Sequence, residues 1–149
     1  MVGDGSYMMM NSELATSVML GRKLIVVLLD NRGFGCIYRL QRSTGSPGFN
    51  NLLPDTRHQT LPPIDFAAHA RSLGANAEHA ANLGELRAAL GRARAADRSS
   101  VVVIDTDPVV VTEAGGTWWA VAVPEVSALP EVQTARRAYE DRTSRRGRS

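Results

Sequence analysis

Cysteine is almost missing from this sequence. Cys36 stands alone among 149 residues, which excludes an internal disulfide and a cysteine-based zinc cluster. Lysine is as scarce. Lys23 is the single lysine among 17 basic side chains, a bias of the kind that genome composition imposes rather than function. Long apolar runs are missing too: none is longer than Leu24 to Leu29, which is far too short to span a bilayer. A strong net charge is also lacking, since the formal value is +2 and the chain as a whole is not a polycation. The basic bias is local, with Arg136, Arg137, Arg142, Arg145, Arg146 and Arg148 crowded at the end. No aromatic stacking platform accompanies them, so they read as a solvated tail rather than a nucleic-acid site. Met1 is followed at once by a glycine–acid turn, with no basic region and no secretory h-region. The expectation is a cytoplasmic chain without a membrane partner.

What is present suits a globular domain. Apolar residues make up 44% of the sequence, and 149 residues can bury a core of ordinary size. The informative stretch comes first. Gly3-Asp4-Gly5-Ser6 follows a strand stub at Met1-Val2, and Ser6 reads as the cap of a helix over Tyr7 to Leu20. The two glycines offer positive φ and close approach of the backbone to a ligand. Lys23 to Leu29 reads as a fully buried parallel strand, and it ends at Asp30-Asn31-Arg32-Gly33-Phe34-Gly35. A strand, a glycine turn and a helix start make a phosphate site. Asp4 and Asn31, 27 positions apart, each fall just past a strand, where parallel sheets place their ligands. A carboxylate, an amide oxygen and a nearby carbonyl suit a hard cation such as Mg²⁺ that also holds phosphate oxygens.

With those residues in place, the chain resembles the thiamine-diphosphate enzymes, specifically their diphosphate-binding domain. The family pattern is G-D-G, roughly thirty residues, then N-N; here it stands as Gly3-Asp4-Gly5 and Asp30-Asn31. The resemblance implies thiamine diphosphate and Mg²⁺ as cofactors. It implies that Asp4 and Asn31 bind the metal through side-chain oxygens and Gly33 through its carbonyl, and that Gly3, Gly5 and Ser6 lie on the cofactor. Asp30 departs from the usual Asn, but the direct ligand is the second position, Asn31.

The rest of the chain reads in order. Met8, Met9, Met10, Leu14, Val18 and Met19 suit one apolar helix face; the methionines read as core, with a substrate pocket as the alternative. Phe34 to Gln41 reads as a short helix with Cys36 and Ile37 inward. Cys36 has no nearby histidine to activate it as a nucleophile, so it reads as a buried structural thiol. Ser43 to Pro63 reads as a long loop, carrying His58 and Arg57; with Arg39 and Arg42 these are candidates to meet an anionic or polyhydroxylated ligand, against a plain solvated loop. A helix over Asp65 to Leu73, bearing His69, stops at Gly74. Asn76 to Ala80, with His79, is a short strand, Leu83 to Ala96 a helix and Val101 to Asp105 a third buried strand. Asp105 and Asp107 read as the end of a strand rather than an acid–base pair. The alternation predicts a three-layer α/β/α sandwich with a mainly parallel sheet.

Residues from 108 leave the sheet. Trp118-Trp119 carry a large apolar load and are expected to bury against the domain, a partner or substrate. Pro130 to Tyr139 reads as a terminal helix with a frayed, arginine-rich end. This tail, with W-W-x-V-x-V-x-E-V-S and P-x-V-Q, resembles one branch of the family, the hydrolases of inositol catabolism that open a polyhydroxylated cyclic dione. The organisation expected is a cofactor-binding domain over residues 1–107, lacking its N-terminal part, and an extension over 108–149. The resemblance implies a fragment of a larger homo-oligomeric enzyme whose activating glutamate lies in a domain or companion subunit absent here, so no catalytic residue is assigned within the chain. An acetolactate-synthase-like carboligase, a 2-oxo-acid decarboxylase, or a non-catalytic partner-binding fragment are the alternatives.

Overall fold

Val101, Val102, Val103 and Ile104 are all buried, as a strand covered on both faces and paired on both edges must be. In the computed structural model, which describes residues 1–61, 63–110 and 121–146, they form the centre of a four-stranded sheet. Its strands are β1 (Val2–Gly3), β2 (Ile25–Asp30), β3 (Asn76–Ala80) and β4 (Ser100–Asp105). The order is β1-β2-β4-β3, and every pairing is parallel. The register sets Gly3 beside Leu29 and Asp30 beside Asp105, so the carboxyl ends of three strands share one edge.

The alternation of side chains along β4 sorts the two faces. Val101 and Val103 join Tyr7, Leu14, Leu28, Phe66 and Ala70 in one core. These come from α1 (Asp4–Met9), α2 (Ser12–Met19), β2 and α4 (Phe66–Ser72). Val102 points the other way, onto Ala89, Ala93 and Leu86 of α5 (Leu83–Ala95). Helices on both faces of a parallel sheet give the three-layer sandwich expected from the sequence.

The helix ends follow local chemistry. The Asp65 carboxylate accepts the Ala68 N–H at 2.8 Å and caps α4; Gly74, at φ +87°, ends the segment in the left-handed conformation that glycine permits. Asn82 accepts the Glu85 N–H at 3.0 Å, while Glu85 reaches back to the Ala81 N–H at 2.8 Å, a variant of the reciprocal capping box.

Several expectations need correction. The helix read over Tyr7 to Leu20 is two helices. It begins at Asp4, so Ser6 lies inside α1 and caps nothing. It breaks at Met10 and Asn11, where the Asn11 amide donates to the Met8 carbonyl at 3.0 Å, the competition with the helical ladder that asparagine offers. Met8, Met9, Met10 and Met19 are exposed rather than core. The buried residues are Asp4, Gly5 and Tyr7 on α1 and Leu14 and Ser17 on α2. In β2, Ile25 is exposed while Leu28 is wholly buried, because β1 pairs with only Leu28 and Leu29.

The chain divides into two compact units: residues 1–34 with 57–108, which hold the sheet, and residues 35–56 with those from 109 onward. The second unit contains α3 (Gly35–Ser43), a 3₁₀ turn at Leu53–Asp55 and α6 (Pro130–Arg146). In α3 only Gly35 is buried. Cys36 is exposed and Ile37 half-exposed, against the inward reading; the burial habit of free cysteine fails where a helix end offers no interior. The Gln41 side chain accepts the Phe49 N–H and the Asn51 amide, ordering the start of the long loop. α6 outruns the predicted end at Tyr139, carried by Arg136–Glu140 and Asp141–Arg145 ion pairs at i,i+4 spacing. Trp118 and Trp119 lie outside the described residues. Among those described, no helix is long and apolar enough to cross a membrane.

Candidate functional site

Asp4 is the first residue of α1 and directly follows β1, so pairing of Gly3 with Leu29 brings it beside the end of β2. Its carboxylate is 3% exposed. One oxygen accepts the Asn31 N–H at 3.2 Å and the other the Gly33 N–H at 2.7 Å. Between these two, the Arg32 N–H donates to the Asp30 carboxylate at 3.0 Å. Three successive amides are thus taken by two buried carboxylates, which fixes the turn. Its backbone is unusual: Arg32 has φ +62° and Gly33 φ +147°.

The Asn31 side chain turns back into this turn. One of its terminal amide atoms lies 3.0 Å from an Asp4 carboxylate oxygen and 3.0 Å from the Gly33 carbonyl oxygen. As nitrogen it donates to both. As oxygen it completes a cluster of three oxygens with no proton between them, and which atom it is follows from what the cluster holds. Adjacent ligands of an octahedral cation with bonds of about 2.1 Å stand about 3.0 Å apart, and the two distances from the Asn31 amide match that spacing. Among the described residues no group of three or more His, Cys, Asp or Glu could hold a metal; these donors are one carboxylate, one amide and one peptide carbonyl.

The glycines divide. A Cβ on Gly5 would stand 2.7 Å from the Phe34 ring and 2.9 Å from the Gly33 carbonyl oxygen, so the turn presses on α1 where only glycine fits. A Cβ on Gly3 would meet nothing. Neither glycine uses positive φ, which corrects that part of the sequence reading. Ser6 is exposed at the same end of α1. Sequence reasoning missed the residues around the turn. Asp30 is buried, which pushes its carboxyl above the usual range, against the pull of the Arg32 N–H and guanidinium; the Asp4 and Asp105 charges push it further the same way. The Arg32 guanidinium lies 3.3 Å from Asp30 and 4.0 Å from Asp105, and His79 Nε2 is 3.1 Å from Asp105. A cleft of about 320 Å³ opens here, lined by Asp30, Arg32, Asp65, Phe66, His79 and Asp105. The only sequence signal for Asp30, Arg32, His79 and Asp105 was that each lies in or just after a strand. Arg39 and Arg42 fall on α3 in the second unit and Arg57 in the first. His69 meets the Tyr7 hydroxyl at 3.0 Å, away from the turn.

The model of the thiamine pyrophosphate enzyme family, C-terminal TPP binding domain, matches residues 1–105. The chain belongs to this family. Among the relatives of this TPP-binding domain, 3D-(3,5/4)-trihydroxycyclohexane-1,2-dione hydrolase 1 of Bacillus cereus is 39% identical to it over 150 residues. The match covers 97% of this chain and 23% of that protein. The hydrolase of the same description from Bacillus licheniformis is 38% identical over 140 residues, 94% of this chain and 22% of that protein. The chain therefore spans less than a quarter of the length of these relatives. Two solved structures share the fold. The thiamine diphosphate-dependent 4-hydroxybenzoylformate decarboxylase of Rhodococcus jostii RHA1 superposes with a TM-score of 0.56 at 21% identity, over 71% of this chain and 19% of that one. The benzoylformate decarboxylase of Polynucleobacter necessarius gives 0.60 at 23% identity, over 74% and 20%. At such identity the likeness speaks for the fold alone.

Proposed function

We propose that this chain is the cofactor-anchoring C-terminal portion of a thiamine-diphosphate-dependent hydrolase that opens 3D-(3,5/4)-trihydroxycyclohexane-1,2-dione to 5-deoxy-glucuronate in inositol catabolism. The observation that supports the anchoring role is that the Asn31 side-chain amide lies 3.0 Å from both the Asp4 carboxylate and the Gly33 carbonyl oxygen. The substrate rests on the 39% identity that spans 97% of the chain. In this reading Asp4, Asn31 and Gly33 hold Mg²⁺, and Gly3, Gly5 and Ser6 border the diphosphate. Thiamine diphosphate, when bound, supplies a carbanion equivalent and an electron sink for C–C cleavage.

The residues of this chain bind and orient. The Asn31 and Gly33 amides hold the Asp4 carboxylate in one orientation, leaving its remaining lone pairs toward the cation. Gly5 lets the Gly33 carbonyl approach α1. No proton transfer is assigned here; in this reading the activating glutamate is supplied by another domain or a companion subunit. Residues 1–107 form the binding domain and 108–149 an extension in this reading. The substrate is a polyhydroxylated cyclic dione, the complete protein is cytoplasmic and homo-oligomeric, and neither nucleic acid nor membrane is a partner. The choice of hydrolase over a carboligase or decarboxylase rests on identity, since the Trp118-Trp119 tail is outside the described residues.

The test is cofactor retention in the complete enzyme. Asp4→Ala and Asn31→Ala should each abolish Mg²⁺-dependent binding of thiamine diphosphate by calorimetry, because each removes a ligand from a cation that demands near-ideal octahedral geometry. Unchanged affinity in either variant sinks the assignment.

A further inference from the structure

The metal turn is held in place by more than the residues that face the metal. Arg32 adopts φ +62°, a conformation that glycine and asparagine enter readily and other side chains rarely do. The backbone of an arginine gains nothing from it, so something else must favour the conformation. The Asp30 carboxylate grips the same residue twice: one oxygen takes the Arg32 N–H at 3.0 Å, the other the guanidinium at 3.3 Å. Asp30 is 4% exposed and a buried carboxylate needs a partner; Arg32 supplies both an amide and a charge. The Asp30 carbonyl is fixed in turn by the Thr106 N–H at 2.8 Å.

The far side of the guanidinium faces Asp105 at 4.0 Å, and Asp105 is braced by His79 at 3.1 Å. Asp30 and Asp105 are register partners on β2 and β4, so the arginine straddles the ends of two neighbouring strands. Three carboxylates, Asp4, Asp30 and Asp105, gather at this edge. Arg32 lies against two of them and leaves Asp4 to the oxygen cluster.

We propose that Arg32 is a positioning residue for the metal site: its guanidinium, clamped between Asp30 and Asp105, locks the turn that presents Asn31 and the Gly33 carbonyl. This rests on the cofactor-anchor reading above. Arg32 touches no metal ligand through its side chain; it acts through the backbone it holds. Asp105, and His79 behind it, act through Arg32.

The test uses the 149-residue chain and two readouts. Arg32→Gly keeps the left-handed backbone accessible and removes the whole side chain, the guanidinium included, so it should fold; Asp105→Asn loosens the clamp with the backbone of residue 32 unchanged. In Arg32→Gly the residue-32 and Gly33 amides should exchange with solvent at least roughly tenfold faster by NMR, with the Val101 to Val103 amides unchanged, a local rather than global opening. Mn²⁺ uptake in the presence of thiamine diphosphate, followed by electron paramagnetic resonance, should weaken about tenfold, the usual scale for removing a residue that orients a ligand. Asp105→Asn should show both effects more weakly, and Arg32→Lys, which keeps charge but not the fork, should restore part of each. Wild-type exchange at Gly33 in Arg32→Gly overturns the proposal, and so does uniform acceleration across β4. If the wild-type chain takes up no Mn²⁺ with the cofactor, the exchange rates alone decide the role of Arg32, and the anchor reading is left to the Asp4→Ala and Asn31→Ala variants of the complete enzyme.

Discussion

A missing Cβ and a buried phenol show how single atoms govern this edge of the sheet. Gly5→Ala would drive a methyl to 2.9 Å from the Gly33 carbonyl oxygen and against the Phe34 ring. The half-exposed ring can yield, but the carbonyl is backbone. We expect a destabilisation of about 1–3 kcal/mol, the scale of overpacking, with cofactor affinity falling more than urea resistance, because the displaced atom is the proposed metal ligand. Equal losses in both would remove the carbonyl from the site. Tyr7 makes a different point. Its ring stands edge-on to Phe66, its hydroxyl meets His69 at 3.0 Å, and burial raises its phenol above the ordinary value. A phenol raised in the folded state contributes stability fully present below the unfolded value of about 10 and lost as pH climbs through the folded value. Tyr7→Phe keeps the ring contact and should cost about 0.5–1.5 kcal/mol at pH 7 through the lost hydrogen bond. Urea midpoints should show this gap closing above about pH 10. A constant gap would place the alkaline loss in other groups.

Among the elements, α5 depends most visibly on its first turn. Asn82 and Glu85 exchange hydrogen bonds with the backbone at its start. Asn82→Ala should cost about 1 kcal/mol, read as a lower urea midpoint with an unchanged slope; a neutral substitution would mean that Glu85 alone secures the end. The elements β3, β4, α4 and α5 were legible in the sequence, because a proline pair before α4, a glycine stop after it and an unbroken β-branched run state their structure locally. The break between α1 and α2 was not. Met8, Met9 and Met10 fit an apolar helix face, and nothing in their pattern announces that the Asn11 side chain takes a helical carbonyl. Cys36 misled for a related reason, since its reading rested on where free thiols usually lie and not on what surrounds this one. The placement of Asp4 and Asn31 just past two neighbouring strands was legible from their spacing. The Asp30–Arg32–Asp105–His79 group was not, because it depends on which strands are neighbours, and the order β1-β2-β4-β3 is a property of the sheet that sequence order does not carry.

In the proposed reading the chain offers ligands for the diphosphate end of the cofactor, and no group in it is assigned to the other end. Without a facing domain the site stands in water, where fixed electrostatics are weakened. We expect residues 1–149 to bind thiamine diphosphate and Mg²⁺ weakly and to leave the cyclic dione intact, with turnover appearing once the remaining length of a curated relative is added in trans. Turnover by the chain alone at a rate near that of the complete enzyme would overturn this division of labour. The clasp between Asp4 and the turn also has a consequence in time. Asp4 follows directly on β1, and its bonds to Asn31 and Gly33 close loops of 27 and 29 positions. Closing them is cheaper than bringing β2 to β4, whose paired residues Ile25 and Ser100 stand 75 positions apart, so we expect the clasp to form no later than the central pairing of the sheet.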